Sequence, residues 1–418
     1  MTQIHKRFTD SQVKDLISRY LRKEIGRRYV QEILGIKRRR FFVLLKKYKN
    51  NPETFSIKYP RESPTRKISG DIEKNILKQL SMDKKLINDK ETSLTSYNYS
   101  YVRDRLKDDY KQIVSVPTII DRAKRNGYYL PRKLKKRSHD REVLTNYTGE
   151  LIQHDSSQHK WSPYVTEKWY LITSLDDFSR YIFYAVLVKK ETSWAHIQAL
   201  EHIILKYGLP FSFYTDSHSI FRFVQGRDSF WRTHYKITDE ADTQWKQILI
   251  ECNIKPVYAL SPQAKGKIER PYRWIQDRLI RTCARENVTD IKPAQIILNS
   301  LIEKYNYQWV HSTTREIPYI RLKRALKENQ SMFREFKIPA PFVSTKDIFC
   351  LRVKRSIDAY RKVSLNNLKF KVNAMPSQPV VLRIYPLNKS VSEVRFWCND
   401  KLIDVQRAKN SDLRIPCF

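Results

Sequence analysis

The hydrophobic period of this chain changes twice along its length, and each change excludes a single uniform architecture. Up to about residue 128 apolar residues recur every three to four positions, the spacing of helices that bury one face. From residue 149 apolar runs of strand length take over, at 150–155, at 168–175 (Lys-Trp-Tyr-Leu-Ile-Thr-Ser-Leu) and at 181–188 (Tyr-Ile-Phe-Tyr-Ala-Val-Leu-Val). Asp176-Asp-Phe-Ser-Arg180 joins the last two as a hairpin turn. A helix is expected at 192–207, a strand at 211–215, a helix near 240–251, a strand at 254–259, and long helices at about 266–286 and 293–305. A three-strand meander followed by alternating helices and strands predicts a mixed α/β sheet. Short strand-like runs then dominate 345–405, among them Ile348-Phe-Cys-Leu-Arg-Val and Val391-Ser-Glu-Val-Arg-Phe-Trp, separated by Asn, Pro and Ser turns. They predict a small β-barrel with Lys and Arg on its outer face.

The chain is therefore expected to be multidomain: helix-turn-helix units at 1–55 and 65–130, a basic linker at 131–148, an α/β core at 149–330 and a C-terminal β-barrel at 345–410. In the first unit a helix ends at Gly35, the chain turns, and a second helix opens on Lys37-Arg-Arg-Arg40. A second helix of this kind enters the DNA major groove by its N-terminal residues. Lys37, Arg38, Arg39 and Arg40 would meet bases or phosphates, while Phe41, Leu44 and Leu45 would pack inward. A helical hairpin with a solvated basic face would look alike, so the reading leans on the rest of the chain. In the second unit Ser115 is a cap candidate, Pro117 suits a first helical turn and Gly127 suits a stop. Thr118, Arg122 and Arg125 would lie on its exposed face.

Charge supplies that support. The 418 residues carry 80 Lys+Arg against 44 Asp+Glu, a formal net charge of +36. Such an excess argues for a polyanionic partner. The five cysteines are scattered, without a Cys-x-x-Cys pair, so neither a zinc finger nor a disulfide framework is indicated. No apolar run is long enough to span a bilayer and the start has no apolar signal core, so a cytoplasmic, nucleoid-associated location is expected.

Three carboxylates stand out against this basic background. Asp155 ends Gly149-Glu-Leu-Ile-Gln-His-Asp155, Asp216 ends Phe211-Ser-Phe-Tyr-Thr-Asp216, and Glu269 sits at the start of an expected helix. Carboxylates converging from separate elements can hold two divalent ions for in-line displacement at phosphorus. All-oxygen ligands favour Mg²⁺ or Mn²⁺. One ion, held by Asp155 and Asp216, would activate a water or a DNA 3′-hydroxyl. The other, held by Asp155 and Glu269, would stabilise the leaving 3′-oxygen. Asp176 and Asp177 are rivals, read here as turn residues that bond their own backbone. His154 and His159 flank the first carboxylate and read as packed or surface histidines rather than as substrate-orienting groups. Lys265, Lys267, Arg270 and Arg273 surround Glu269; on a helix 266, 269, 270 and 273 share a face, which would present cations to phosphates beside the metals. Pro271 is tolerated there only near a helix start.

These residues resemble a known family. His154-Asp155-Ser-Ser-Gln-His159-Lys-Trp161, Leu175-Asp-Asp-Phe-Ser-Arg180, Tyr214-Thr-Asp216-Ser-His218, Ser261-Pro-Gln-Ala-Lys-Gly-Lys-Ile-Glu269-Arg270 and Val310-His-Ser-Thr-Thr-Arg-Glu-Ile-Pro318 occur in the order found in integrase-core (DDE) transposases of bacterial insertion sequences, relatives of retroviral integrases. The resemblance implies a ribonuclease-H-like core, with the catalytic and metal-binding roles on Asp155, Asp216 and Glu269. It implies recognition, cleavage and strand transfer of an element's ends. The expected partners are double-stranded DNA, both terminal repeats and target, and further copies of the chain. The chain departs from retroviral integrases in lacking their His-His-Cys-Cys zinc domain. Its Asp216-to-Glu269 stretch is also longer than usual, with an extra segment at about 223–243. The competing reading is a decayed or domesticated copy that binds terminal repeats as a repressor or scaffold without cutting.

Overall fold

The computed structural model describes residues 4–58, 68–131, 145–216, 220–221, 243–259, 266–366 and 368–413, apart from the side chains of Lys6 and of residues 266–270. Most of the expected basic linker, Lys265 and nearly all of the 223–243 segment lie outside the described residues. The chain divides into two compact units, Met1–Glu73 and Lys74–Phe418.

In the first unit a short 3-10 turn precedes α1 (Asp10–Leu21), α2 (Arg27–Leu34) and α3 (Arg38–Asn50). Thr9 caps α1, in a reciprocal box with Gln12 that satisfies two orphan N–H groups. The Asp10 carboxylate accepts the Ile57 N–H at 2.8 Å, tying the chain after α3 back to α1. Between α2 and α3 Gly35 adopts φ 62°, a left-handed conformation that costs a Cβ-bearing residue energy. Its N–H closes on the Glu32 carbonyl, and the extended residue Lys37 then restarts the helix. Val13, Ile17, Val30, Leu34, Phe41, Leu44 and Leu45 form the core, so the inward set expected for α3 is the one buried.

The unit boundary falls within α4 (Gly70–Asn88), and α5 (Tyr99–Tyr110) and α6 (Val116–Arg125) follow in the second unit. Ser115 caps α6 and Pro117 lies in its first turn, as the sequence predicts. The central sheet follows: β1 (Ile152–His159), β2 (Trp169–Asp176), β3 (Ile182–Val188), α7 (Ser193–Tyr207), β4 (Ser212–Thr215), α8 (Gln244–Glu251) and β5 (Lys255–Tyr258). The strand order is β3-β2-β1-β4-β5. β1, β2 and β3 form the antiparallel meander, and β4 and β5 run parallel to β1. This mixed sheet is the arrangement the element order predicts. β1 runs on through Ser156-Ser-Gln-His159, where polar composition suggests a stop at Asp155, because the whole segment pairs with β2.

The two faces of the sheet are covered by different helices. Ile152, Phe213 and residues of α7 and α8 share one core. Trp169, Leu171 and Leu175 pack on α9 (Gly266–Arg285) and α10 (Ile291–Tyr307). The outward side of α9 is engaged by the preceding helices. Arg281 and Arg285 pair with the buried Asp83 of α4 at 3.0 and 2.7 Å, and Arg278 pairs with Asp104 of α5 at 3.1 Å. Buried charges need such partners, since a lone one would cost several kcal/mol by order of magnitude.

After α11 (Pro318–Lys327) and the short α12 (Thr345–Ile348) come β6 (Leu351–Ser356), β7 (Lys362–Leu365), β8 (Leu368–Lys371), β9 (Pro379–Pro386), β10 (Val391–Cys398), β11 (Lys401–Lys409) and α13 (Asn410–Leu413). The expected small β-barrel is not closed among the described residues. β11-β10-β9-β6 form an open antiparallel sheet, and β7–β8 form a separate hairpin. The reason lies in what covers the sheet. Val363, Leu365 and Phe370 of the hairpin join Leu382, Ile384, Val394 and Phe396 in one core shared with α7 and α8. A sheet buried by neighbouring elements has no need to close on itself. Its basic residues are not all on an outer face either. Arg352 and Arg383 are buried against Glu251 of α8 at 2.5 and 2.8 Å, and Arg395 is buried against Asp347 at 2.5 Å.

Candidate catalytic site and DNA-facing surfaces

The register of β1 and β4 governs where the two candidate aspartates lie. Ile152 pairs with Phe213 and Gln153 with Tyr214, in parallel. Continuing that register by two residues brings Asp155 into the row of Asp216. Both are one pleat period beyond a paired couple, so they share a sheet face. Both are partly exposed, as a ligand-accessible carboxylate must be.

Tyr272 of α9 locks this row to the helix that carries Glu269. Its buried hydroxyl donates to the Asp155 carbonyl oxygen at 2.7 Å and accepts from Thr173 Oγ1 at 2.8 Å. Thr173 is itself the β2 partner of Asp155. Burial first, and then the carboxylate of Asp155, push the Tyr272 phenol well above its usual pKa of 10.0; Glu191 and Asp216 add to the rise, while the Thr173 hydrogen bond opposes it. The phenol is thus held neutral within the field of three carboxylates. Position 269 lies one helical turn before Tyr272, on the same side of α9 by helical periodicity. The helix continues through Pro271, its sixth residue.

The described donor set fits a hard divalent cation. The β1–β4 register, continued past its last pair, sets two carboxylates level with each other, and like charges brought close repel unless a cation lies between them. Oxygen ligands of this kind suit Mg²⁺ or Mn²⁺. Among the described residues no three acidic, His or Cys side chains gather into a metal-holding group. The side chains of Glu269, Lys267 and Arg270 are outside them, as is Lys265. Arg273 is exposed on α9.

The rival carboxylates behave as turn residues. Asp176 is fully buried and accepts hydrogen bonds from Ser179 N and Oγ, Thr148 Oγ1 and Gly149 N at 2.5–3.0 Å. Burial nonetheless raises its pKa, against these bonds. Asp177 pairs with Arg180 at 3.1 Å and accepts from Gln153 at 2.5 Å.

His154 is fully buried on the other face of β1 from Asp155. One ring nitrogen lies 2.8 Å from Ser174 Oγ and the other 2.8 Å from His196 of α7. His196 reaches Glu191 at 3.0 Å, and the Ser156 hydroxyl donates to the same carboxylate. His159 is half-buried, and burial, with Lys168 nearby, lowers its pKa. Of Tyr272, Thr173 and Glu191, only Tyr272 carries a signal in the sequence, its three-residue spacing from Glu269.

The side chains of Lys37, at the N-cap of α3, and of Arg38 and Arg39 on it are exposed, and Arg40 is half-buried. On α6 Thr118 lies beside its cap, with Oγ1 at 2.8 Å from Ser115 Oγ. Arg122 and Arg125 both pair with Asp121, at 2.6 and 3.0 Å. Two of the three expected α6 contacts are therefore partly neutralised within their own helix.

No protein-family profile matches the chain. Over 189 residues it is 31% identical to y4bF of Sinorhizobium fredii, a protein assigned as a transposase, covering 45% of this chain and 40% of that one. Over 178 residues it is 30% identical to the transposase for insertion sequence IS1202 of Streptococcus pneumoniae, covering 43% and 37%. The chain thus aligns with less than half the length of the curated relatives it matches. Among solved structures, the HTLV-2 integrase catalytic core domain in complex with magnesium superposes with a TM-score of 0.31 at 20% identity, over 43% of this chain and 98% of that one. The simian T-cell lymphotropic virus intasome in complex with a PP2A regulatory subunit does so with a TM-score of 0.36 at 16% identity, over 71% and 91%.

Proposed function

We propose that this chain, similar in sequence to transposases of insertion sequences, is a DNA transposase that binds the ends of its element and catalyses metal-dependent cleavage and strand transfer. The observation that supports this most is the parallel β1–β4 register, whose continuation sets Asp155 level with Asp216, with α9 held against β1 through Tyr272.

In this reading Asp155, Asp216 and Glu269 hold two Mg²⁺ or Mn²⁺ ions. When bound, the ions supply Lewis-acid stabilisation of the attacking and leaving oxygens. Asp155, central in β1, has its backbone fixed by pairing with β2 and by the Tyr272 hydroxyl, which anchors the carboxylate's point of attachment. Tyr272 stays neutral and donates a hydrogen bond to the Asp155 carbonyl oxygen, which keeps the first turns of α9 in place. Lys265, Lys267, Arg270 and Arg273 bind phosphates flanking the cut. Arg38, Arg39 and their neighbours on α3, with Thr118, Arg122 and Arg125 of α6, hold the terminal repeats. The working form is a homo-oligomer on paired DNA ends. Among the described residues no helix is long and apolar enough to cross a membrane.

Single-turnover incubation of the full chain with labelled duplexes carrying its gene's flanking DNA tests the proposal. Nicking that requires Mg²⁺, is abolished by EDTA and leaves a 3′-hydroxyl that joins to target DNA is expected. Specific binding with neither nicking nor joining would instead make the protein a repressor or scaffold.

A further inference from the structure

The outer face of α3 combines charge with exposed apolar surface. Phe42 is 42% and Val43 40% exposed, although their neighbours Phe41, Leu44 and Leu45 are in the core. Arg38, Arg39 and Lys46 complete the shallow hollow they line. These side chains form two helical rows, Arg38-Phe42-Lys46 and Arg39-Val43, at the spacing that makes side chains neighbours. The Phe42 ring is held in place: it meets Phe41 edge-on at 5.5 Å, and the Arg38 guanidinium lies 5.9 Å from its centroid. An exposed aromatic and a β-branched residue are an unexplained expense on a helix that only contacts phosphates, for which Lys or Arg at those positions would serve better.

We infer that Phe42 and Val43 read thymine, by packing on its C5-methyl group in the major groove, while Arg38, Arg39 and Lys46 hold the flanking phosphates and base edges. The occupant follows from complementarity. The hollow is apolar at its centre and cationic at its rim, and the major groove offers thymine methyls as its apolar feature between rows of phosphates. The groove is about 12 Å wide and admits one α-helix. Adenine, guanine and cytosine present no methyl there, so the contact confers sequence preference and not merely affinity. This inference rests on the proposed reading of α3 as a groove-entering helix.

The test uses the full chain in EDTA, with duplexes selected by it from a random-sequence pool and then resynthesised with deoxyuridine in place of thymidine. Uracil pairs as thymine does and lacks only the methyl. Loss of one packed methyl corresponds to about a threefold to fourfold weakening. The expected result is a loss of that size at one or two positions in the wild type. It should disappear in a Phe42→Ala/Val43→Ala variant, which binds both forms equally, and persist in Phe42→Leu. Melting of each variant at the wild-type temperature confirms an intact fold. Equal binding of thymine and uracil duplexes by the wild type overturns the inference, as does discrimination undiminished in the double variant. Arg39→Ala separates the two layers. If it weakens binding while the methyl has no effect, α3 enters the groove but does not read thymine. If it too has no effect, the groove-entering reading of α3 fails and the inference with it.

Discussion

Removing one oxygen atom, in Tyr272→Phe, tests whether α9 is positioned from β1. The ring itself belongs to the core between the sheet and α9–α10, and the substitution leaves that packing in place. What is lost are the bonds at 2.7 Å to the Asp155 carbonyl and at 2.8 Å from Thr173 Oγ1. The Thr173 hydroxyl is buried and is left without this partner. An orphaned buried polar group costs about 1–3 kcal/mol, and that range is the expected loss of stability in urea unfolding. The functional loss should be larger in proportion. Misplacing a reacting group by about 1 Å costs roughly a hundredfold in rate, so single-turnover nicking should fall about tenfold to a hundredfold. Binding of end duplexes should be unchanged, because the Tyr272 side chain is buried. Wild-type nicking in Tyr272→Phe would refute the idea that this hydroxyl sets the catalytic geometry. A fall in duplex binding that matches the fall in rate would equally refute it.

Three further outcomes follow from the same structure. Glu251→Ala leaves Arg352 and Arg383 buried without their carboxylate, and since Glu251 is itself partly exposed the expected loss is about 2–4 kcal/mol, read by urea unfolding; an unchanged midpoint would show that these pairs add nothing. Burial opposes ionisation of Glu393, but its hydrogen bonds and charge pairing with Lys346 and Arg395 hold its pKa below 4.5, so it contributes stability that is present above that pH and is lost as pH falls through the lowered value; Glu393→Gln should flatten the acid limb of a stability-versus-pH curve, and an identical limb would count against the pairing. Arg39→Ala should weaken duplex binding and reduce the slope of log affinity against log salt by about one, measured by titration between low and moderate salt.

What the sequence discloses, and what it conceals, follows from the range of the interactions involved. β2, β3 and α7 are legible to within a residue or two, because Leu171, Leu175 and Leu187 face one core and Ile172 the other in plain alternation. The Asp176 turn is legible for a local reason, since Ser179 lies three residues on. The extension of β1 past Asp155 is not, because Ser156 and Gln158 gain their strand conformation from pairing with β2. Barrel closure depends on which strands meet, and nothing within β7 or β8 announces that the hairpin will cover a sheet instead of joining it. The histidine chain is hidden for the same reason: His154 and His196 meet only once α7 is folded over β1. At the candidate site the carboxylates stand out in sequence as acids in a basic chain. Tyr272, which ties Asp155 to α9, is marked there only by its three-residue spacing from Glu269.

The most direct test of the central claim pairs wild type with Asp155→Asn, an isosteric change that removes one negative charge from the proposed metal site. Nicking of end duplexes in Mg²⁺ and equilibrium binding of the same duplexes in EDTA are measured side by side. Nicking lost to background with binding retained is the predicted result. Nicking at the wild-type rate in Asp155→Asn would contradict the assignment of this carboxylate, and with it the account of the site.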